Sequence, residues 1–207
     1  INGVGMNGLR PSLKPLNLGN SGTSIRLMTG LLSAQSFDSM LCGDESLSKR
    51  PMARIIDPLR EMGAIIKSSD SMPPLSISGN QKLSALKYTL PVASAQIKSC
   101  LLLAGLYADG ETCITENETT RDHTERMLKG FGYQVTSSSG KVSLTGGGQL
   151  QACDIEVPSD ISSAAFFIVA ASIAKNADIT LEAVNINPTR TGVIEILKLM
   201  GANIELN

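Results

Sequence analysis

RPMARIIDPLREMGAIIKSS (Arg50–Ser69), RDHTERMLKGFGYQVTSS (Arg121–Ser138) and RTGVIEILKLMGANIELN (Arg190–Asn207) are three versions of one stretch. Each opens with Arg, runs through apolar residues at helical spacing to Met-Gly or Phe-Gly, and then enters an apolar strand pattern. Gly63, Gly132 and Gly201 stand 69 residues apart both times. A fixed period marks a repeated supersecondary unit, and one this long must hold several elements.

The flanking residues fill out the unit. In the first copy Ile25, Met28 and Leu32 recur at helical spacing behind Gly22, and FDSMLCG (37–43) reads as a strand. Arg50-Pro51 then opens a second helix, Pro being suited to a first turn. Met52, Ile55, Ile56, Leu59 and Met62 form its apolar face, and Gly63 takes the left-handed conformation that ends it. AIIKS and LSISG follow as two strands. Pro58 falls inside the second helix, where it removes a hydrogen bond, so a kink or a shortened first turn is expected.

The second copy repeats this order. LKYTL is followed by a helix from Ser94 to about Leu106, then ETCITE, a helix from Asp122 to Gly132, YQVTS and KVSLTG. The third has CDIEV, a helix from about Ile161 to Ala174, DITLEAV, a helix from Thr191 to Gly201, and NIEL, and it stops before its last strand. The class is therefore α/β (α+β), built from βαβαββ units. One such unit cannot bury two helices and a sheet by itself, so several must pack, with helices inside and sheets outside. Residues 1 to 17 read as the tail of a preceding unit.

Composition limits the function. The chain is 42% hydrophobic and 18% charged, enough to bury a core, but 3% aromatic without Trp, so that core is built from Ile, Leu, Val, Met and Ala. The net charge of −1 and the lack of a basic run argue against a nucleic-acid coat or a membrane-surface helix. No apolar run reaches the roughly 18 residues of a membrane span. Cys42, Cys100, Cys113 and Cys153 make no C-x-x-C pair, so zinc spacing is absent and free thiols in a reducing compartment are expected before disulfides. No signal peptide is visible and the chain opens at Ile1, which suggests a fragment or a processed segment.

The first helices of the three copies start at GNSGTS, VASAQIKS and PSDISSA, rich in small residues and hydroxyls. These are either ordinary N-caps or, if the copies converge on one cleft, anion sites at the positive ends of helices. Arg50, Arg121 and Arg190 open the second helices, where the dipole prefers acidic groups. Another task is indicated, such as forked binding of carboxylate or phosphate; for Arg50 a salt bridge to Asp44 or Glu45 is the plainer reading. The lone His123 reads as a surface or packing residue before a catalyst. GNSGTS lacks the Lys of a nucleotide loop and no G-x-G-x-x-G occurs, so ATP and NAD are not expected.

LGNSGTSIRL, GDESLSKRPM, PLREMGA, PVASAQIKS, TRDHTERML and DISSAAFF, in this order along nearly the whole chain, closely resemble the EPSP synthase family of enolpyruvyl transferases. The related UDP-GlcNAc enolpyruvyl transferases share the unit fold but do not usually carry the SLSKRPM and SAQIKS runs. The resemblance implies an inside-out α/β barrel fold of two hinged domains with three units each. On that plan residues 1–157 are part of the N-terminal domain, with units at about 18–80 and 85–147, and 158–207 are the first, incomplete unit of the second.

The implied reaction moves the enolpyruvyl group of phosphoenolpyruvate to the 5-hydroxyl of shikimate-3-phosphate, releasing phosphate, by addition and elimination without metal or organic cofactor. The implied partners are these two small anions, with no nucleic acid or membrane. The implied protein is a cytoplasmic monomer when full length. Gly22, Arg50 and Gln96 match the phosphoenolpyruvate site; Ser94, Gln96, Thr120 and Arg121 match the shikimate-3-phosphate site. Ala95 stands where many relatives carry Ser, and Asp160 matches a hinge-side acid. Glyphosate binds in the phosphoenolpyruvate site of the family, and Gly22 implies sensitivity. The family's catalytic Lys and acid/base carboxylates have no counterpart in these residues, so the chain alone is expected to be inactive. If the third unit lacks its domain partners, it should expose apolar surface. Transfer to a UDP-sugar and a non-catalytic ligand-binding fragment stay open as alternatives.

Overall fold

In the computed structural model, which describes residues 1–207, the first repeat opens with a two-residue strand, Leu16–Asn17 (β1). It pairs in parallel with Ser39–Cys42 (β2), Leu16 opposite Leu41, so the connection between them must be a crossover. That crossover is the helix Gly22–Leu32 (α1). Residues 16 and 17 thus belong to the first unit and supply its opening strand, rather than to the tail of a preceding one.

A short helix not expected from the sequence, Glu45–Ser48 (α2), comes next, capped by Asp44, whose carboxylate accepts from the Leu47 N–H at 2.8 Å. It delays the following helix, which spans Ala53–Glu61 (α3) and leaves Arg50 and Pro51 ahead of its start. Pro58 lies within α3 and removes the bond to the Arg54 carbonyl, yet the helix continues: Met62 N–H donates to Pro58 O at 3.0 Å. Gly63 closes it at φ 105°, a value that favours glycine. The hairpin Ile66–Ser69 (β3) and Met72–Ile77 (β4) completes the unit.

The second repeat follows the same path through Lys87–Thr89 (β5), Ala95–Gly105 (α4), Glu111–Thr115 (β6), His123–Gly130 (α5), Thr136–Ser138 (β7) and Lys141–Thr145 (β8). Its sheet order, β5-β6-β8-β7, matches β1-β2-β4-β3 of the first. In both sheets the last strand of the unit lies between the second and the third, antiparallel to each.

The chain divides into two compact units, Ile1–Cys153 and Asp154–Asn207. In the first, one continuous core joins Ile25, Ile55, Ile56, Leu59, Ile97, Leu101 and Leu102 from α1, α3 and α4 with Leu41, Leu75 and Ile114 from the sheets. Its centre is α4, buried at Ile97, Lys98, Ser99, Cys100, Leu101, Leu102, Ala104 and Gly105. A helix enclosed on most sides belongs in the middle of a domain. It crosses α1 backbone against backbone: a Cβ on Gly30 would lie 2.1 Å from the Cys100 carbonyl oxygen. The Cys100 thiol is fully buried and pushed up to about 12 by desolvation; such a thiol is a packing group rather than a nucleophile.

In the second unit the helices Ile161–Ile173 (α6) and Gly192–Leu199 (α7) form, but the strands expected at CDIEV, DITLEAV and NIEL do not. A single parallel bridge joins Ser159 to Val184. The topology of the other two units explains this. Their second and third strands meet only across the fourth, and no fourth strand lies within these residues. An isolated pair of strands is marginal in water. The buried apolar residues are Ile161, Ala164 and Ile194, while Phe166 and Phe167 are 79% and 59% exposed. No helix is long and apolar enough to cross a membrane.

Candidate functional site

The start of α1 gathers charge that the fold leaves unpaired. Ser21 caps the helix, its Oγ accepting from the Ser24 N–H at 3.1 Å. Gly22 is the first helical residue, and a Cβ there would lie 2.8 Å from Arg26 Nη1 and 3.1 Å from Arg50 Nη1. Its backbone therefore sits directly against two guanidinium groups. Arg26, one turn along α1, donates to the Gly22 carbonyl at 3.0 Å and to Gln96 Oε1 at 2.9 Å. The Gln96 amide nitrogen in turn donates to Thr23 Oγ1 at 2.8 Å. Gln96 lies in the first turn of α4, so it ties the starts of the two helices together.

Arg50 donates to both Asn20 oxygens and to Ser46 Oγ. The salt bridge expected with Asp44 or Glu45 is not formed. Asp44 caps α2 and accepts from the Asn20 amide at 2.9 Å, while Glu45 pairs with Lys49 at 2.6 Å. The Leu47 N–H is the main cause holding the Asp44 carboxyl below its ordinary range, with the Asn20 amide adding to it. Burial, and then Arg50 and Arg54, depress the Arg26 pKa. Neither Arg26 nor Arg50 is in an ion pair. Two like charges against a helix N-terminus create a site that favours an anion.

A second constellation grows from the same turn of α4. Ser94 caps it, Oγ accepting from the Ile97 N–H at 3.4 Å, which leaves the hydroxyl proton free to donate. One turn on, Lys98 is almost wholly buried and holds Glu116 at 3.0 Å and Glu125 at 2.6 Å. Thr120 donates its hydroxyl to Glu116 Oε1. Beside it, Ser99 and Thr124 share a hydrogen bond at 2.7 Å. Arg121 follows Thr120 and is exposed. In the second unit, Asp160 caps α6 through the Ser162 N–H at 3.1 Å, the main cause of its lowered pKa, and Arg190 lies 3.7 Å away.

Ser21, Ser94 and Asp160 all cap their helices, as the plainer reading of the three helix starts expects, and at α1 the two guanidiniums are added to the cap. Of the residues singled out from the sequence, Gly22, Arg50, Gln96 and Ser94 come together around the starts of α1 and α4. Thr120 joins α4 indirectly, through Glu116 and Lys98. Arg121 makes none of these contacts, and His123 opens α5. Sequence reasoning missed Arg26, Asn20 and the Lys98 cluster. Arg26 stands four residues after Gly22, the helical step that lets it reach back. Lys98 is a charge inside an otherwise apolar run, and a buried charge must have a partner.

The family model for EPSP synthase (3-phosphoshikimate 1-carboxyvinyltransferase) matches residues 2–207. A 3-phosphoshikimate 1-carboxyvinyltransferase of Vesicomyosocius okutanii is 68% identical over the whole chain, which covers 48% of that protein. One from Alkalilimnicola ehrlichii is 61% identical over the whole chain, which covers 46% of it. The solved EPSP synthase of Acinetobacter baumannii superposes with a TM-score of 0.91 at 62% identity, over 97% of this chain and 46% of that one. The fold is thus the inside-out α/β barrel type of that enzyme, and the chain spans about half the length of the relatives it matches.

Proposed function

The chain belongs to the EPSP synthase family, and on that premise we propose that the complete protein moves the enolpyruvyl group of phosphoenolpyruvate to the 5-hydroxyl of shikimate-3-phosphate. Carbon 3 of phosphoenolpyruvate gains a proton and the 5-oxygen bonds to carbon 2, giving a tetrahedral adduct. Loss of phosphate from carbon 2 and of a proton from the new methyl restores the double bond. The observation that carries this reading is the pair of unpaired guanidiniums, Arg26 and Arg50, over Gly22, joined by Gln96 to the start of α4. That link sets two anion subsites side by side.

In this reading Arg50 grips the phosphate of phosphoenolpyruvate in its fork, and Gly22 keeps the wall of the pocket clear. Gln96 presents its remaining amide hydrogen between the two substrates. Ser94 donates to shikimate-3-phosphate, and the exposed Arg121 meets its phosphate. Most of the chain's contribution is to hold two anions together and to offset charge as the adduct forms. The proton-transfer groups belong to other parts of the protein. Residues 1–157 form part of one domain and 158–207 begin the next, with a hinge between. The same reading takes the complete enzyme as a cytoplasmic monomer.

A coupled phosphate-release assay with both substrates tests it on the complete protein. Arg50→Ala should lower kcat/KM for phosphoenolpyruvate about a hundredfold, the size expected for hydrogen bonds to a charged group. The 207-residue chain alone should release no phosphate. Protection from proteolysis by a UDP-sugar but not by shikimate-3-phosphate would sink the choice of acceptor.

A further inference from the structure

β6 ends at Thr115 and α5 begins at His123, so Glu116, Thr120 and Arg121 share one connecting loop. Its residues 117–119 are exposed. A loop so open would wander unless something fixed it. Its first residue is fixed twice: the Glu116 N–H donates to the Gly140 carbonyl at 2.7 Å, and its carboxylate meets Lys98 at 3.0 Å. Lys98 also holds Glu125, just beyond the far end of the loop, at 2.6 Å. The three charged side chains are 1%, 5% and 4% exposed. Lys98 stands one helical turn after Ser94, so this buried cluster is a rigid link from the start of α4 to both ends of the loop.

Thr120 turns inward to the same cluster. A threonine hydroxyl has one proton, and that of Thr120 goes to Glu116 Oε1. It is not left to donate to a phosphate. We propose that Thr120 is a positioning residue. Its hydroxyl latches the loop to the Lys98–Glu116–Glu125 cluster and so holds the adjacent Arg121 at a fixed offset from Ser94 and Gln96. Arg121, and not Thr120, meets the shikimate phosphate. The latch itself stands on geometry alone; its effect on substrate rests on the function proposed above.

Two measurements test it. In ligand-free protein, amide hydrogen exchange of residues 117–121 should quicken about tenfold in Thr120→Val, the scale of one lost hydrogen bond to a charged group. Thr120→Ser, which keeps the donor, should restore the slow rate. Unchanged exchange in Thr120→Val would overturn the latch, because a residue that only touches substrate has no effect before substrate arrives. In the complete protein, Thr120→Val and Glu116→Gln should each raise KM for shikimate-3-phosphate about tenfold, the latter because Gln offers one acceptor to two donors. The double variant should do no more than either single one, and kcat should change little. Effects that multiply would mean that Thr120 touches substrate directly. If Glu116→Gln does not fold, the exchange comparison decides alone. Quickened exchange in Thr120→Val, with a complete wild-type protein that does not consume shikimate-3-phosphate, would keep the latch and remove the substrate reading.

Discussion

One added methyl group separates stability from ligand chemistry at Gly22. Alanine is the better helix former, by up to about 1 kcal/mol in a helix interior. The new Cβ would meet only the mobile ends of Arg26 and Arg50, at 2.8 and 3.1 Å. Gly22→Ala should therefore keep or raise the urea midpoint. It should also raise KM for phosphoenolpyruvate about tenfold, because the displaced guanidiniums no longer fit the phosphate, and weaken inhibition by glyphosate. Paired denaturation and inhibition curves check both halves. Asp44 gives a second residue-scale expectation. Its pKa is lowered on folding, chiefly by the Leu47 N–H. The cap's stabilisation is complete above the ordinary carboxylate value and is lost as pH falls through the lower folded one. Asp44→Asn should therefore show a flatter acid limb when urea midpoints are followed from about pH 5 to 2. Gly22 and Arg50 were legible because their motifs are contiguous. Arg26 was not, because its role depends on Gln96, 70 residues away in sequence, and nothing local announces that the two helix starts meet.

Two helices decide whether the elements stay in register. α1 and α4 approach most closely at Gly30, where a Cβ would press to 2.1 Å from the Cys100 carbonyl oxygen. A backbone atom cannot swing aside as an arginine tip can. Gly30→Ala should cost about 1–3 kcal/mol, read from chemical denaturation, in contrast to the neutral or favourable change at Gly22. Lys98→Met should cost more, about 3–5 kcal/mol, because it strands Glu116 and Glu125 in the core. Periodicity identified every major helix and all the strands of the two sheets except β1, whose residues read as the tail of a preceding unit. It misplaced the start of α3 because Asp44 and its cap form a helix of four residues first. It also over-read the third copy. DITLEAV has the pattern of a strand, but a pattern specifies a face and not the neighbour that must bond to it.

On the scale of the molecule, the two units differ in what they bury. The first has a continuous core; the second has Ile161, Ala164 and Ile194 inside and leaves Phe166, Phe167, Ile173, Leu199 and Met200 to solvent. Amides of α6 should exchange at least about tenfold faster than those of α4, and the 207-residue chain should bind a dye that reports exposed apolar surface. The repeat and its period were legible in the sequence, and so was the exposure of the third copy. The order of strands was not, since it arises from pairing between segments that carry the same alternation. That order has a consequence for how the chain is made. A ribosome releases the strands of each unit in sequence, and the one that emerges last takes the middle of the sheet. Neither four-stranded sheet can close while its β4 or β8 is still in the exit tunnel. Until then the nascent second and third strands present bare edges to the cell as they emerge, so each unit must wait to fold as a block, and a pause in translation that holds β4 or β8 inside the tunnel would prolong that exposure.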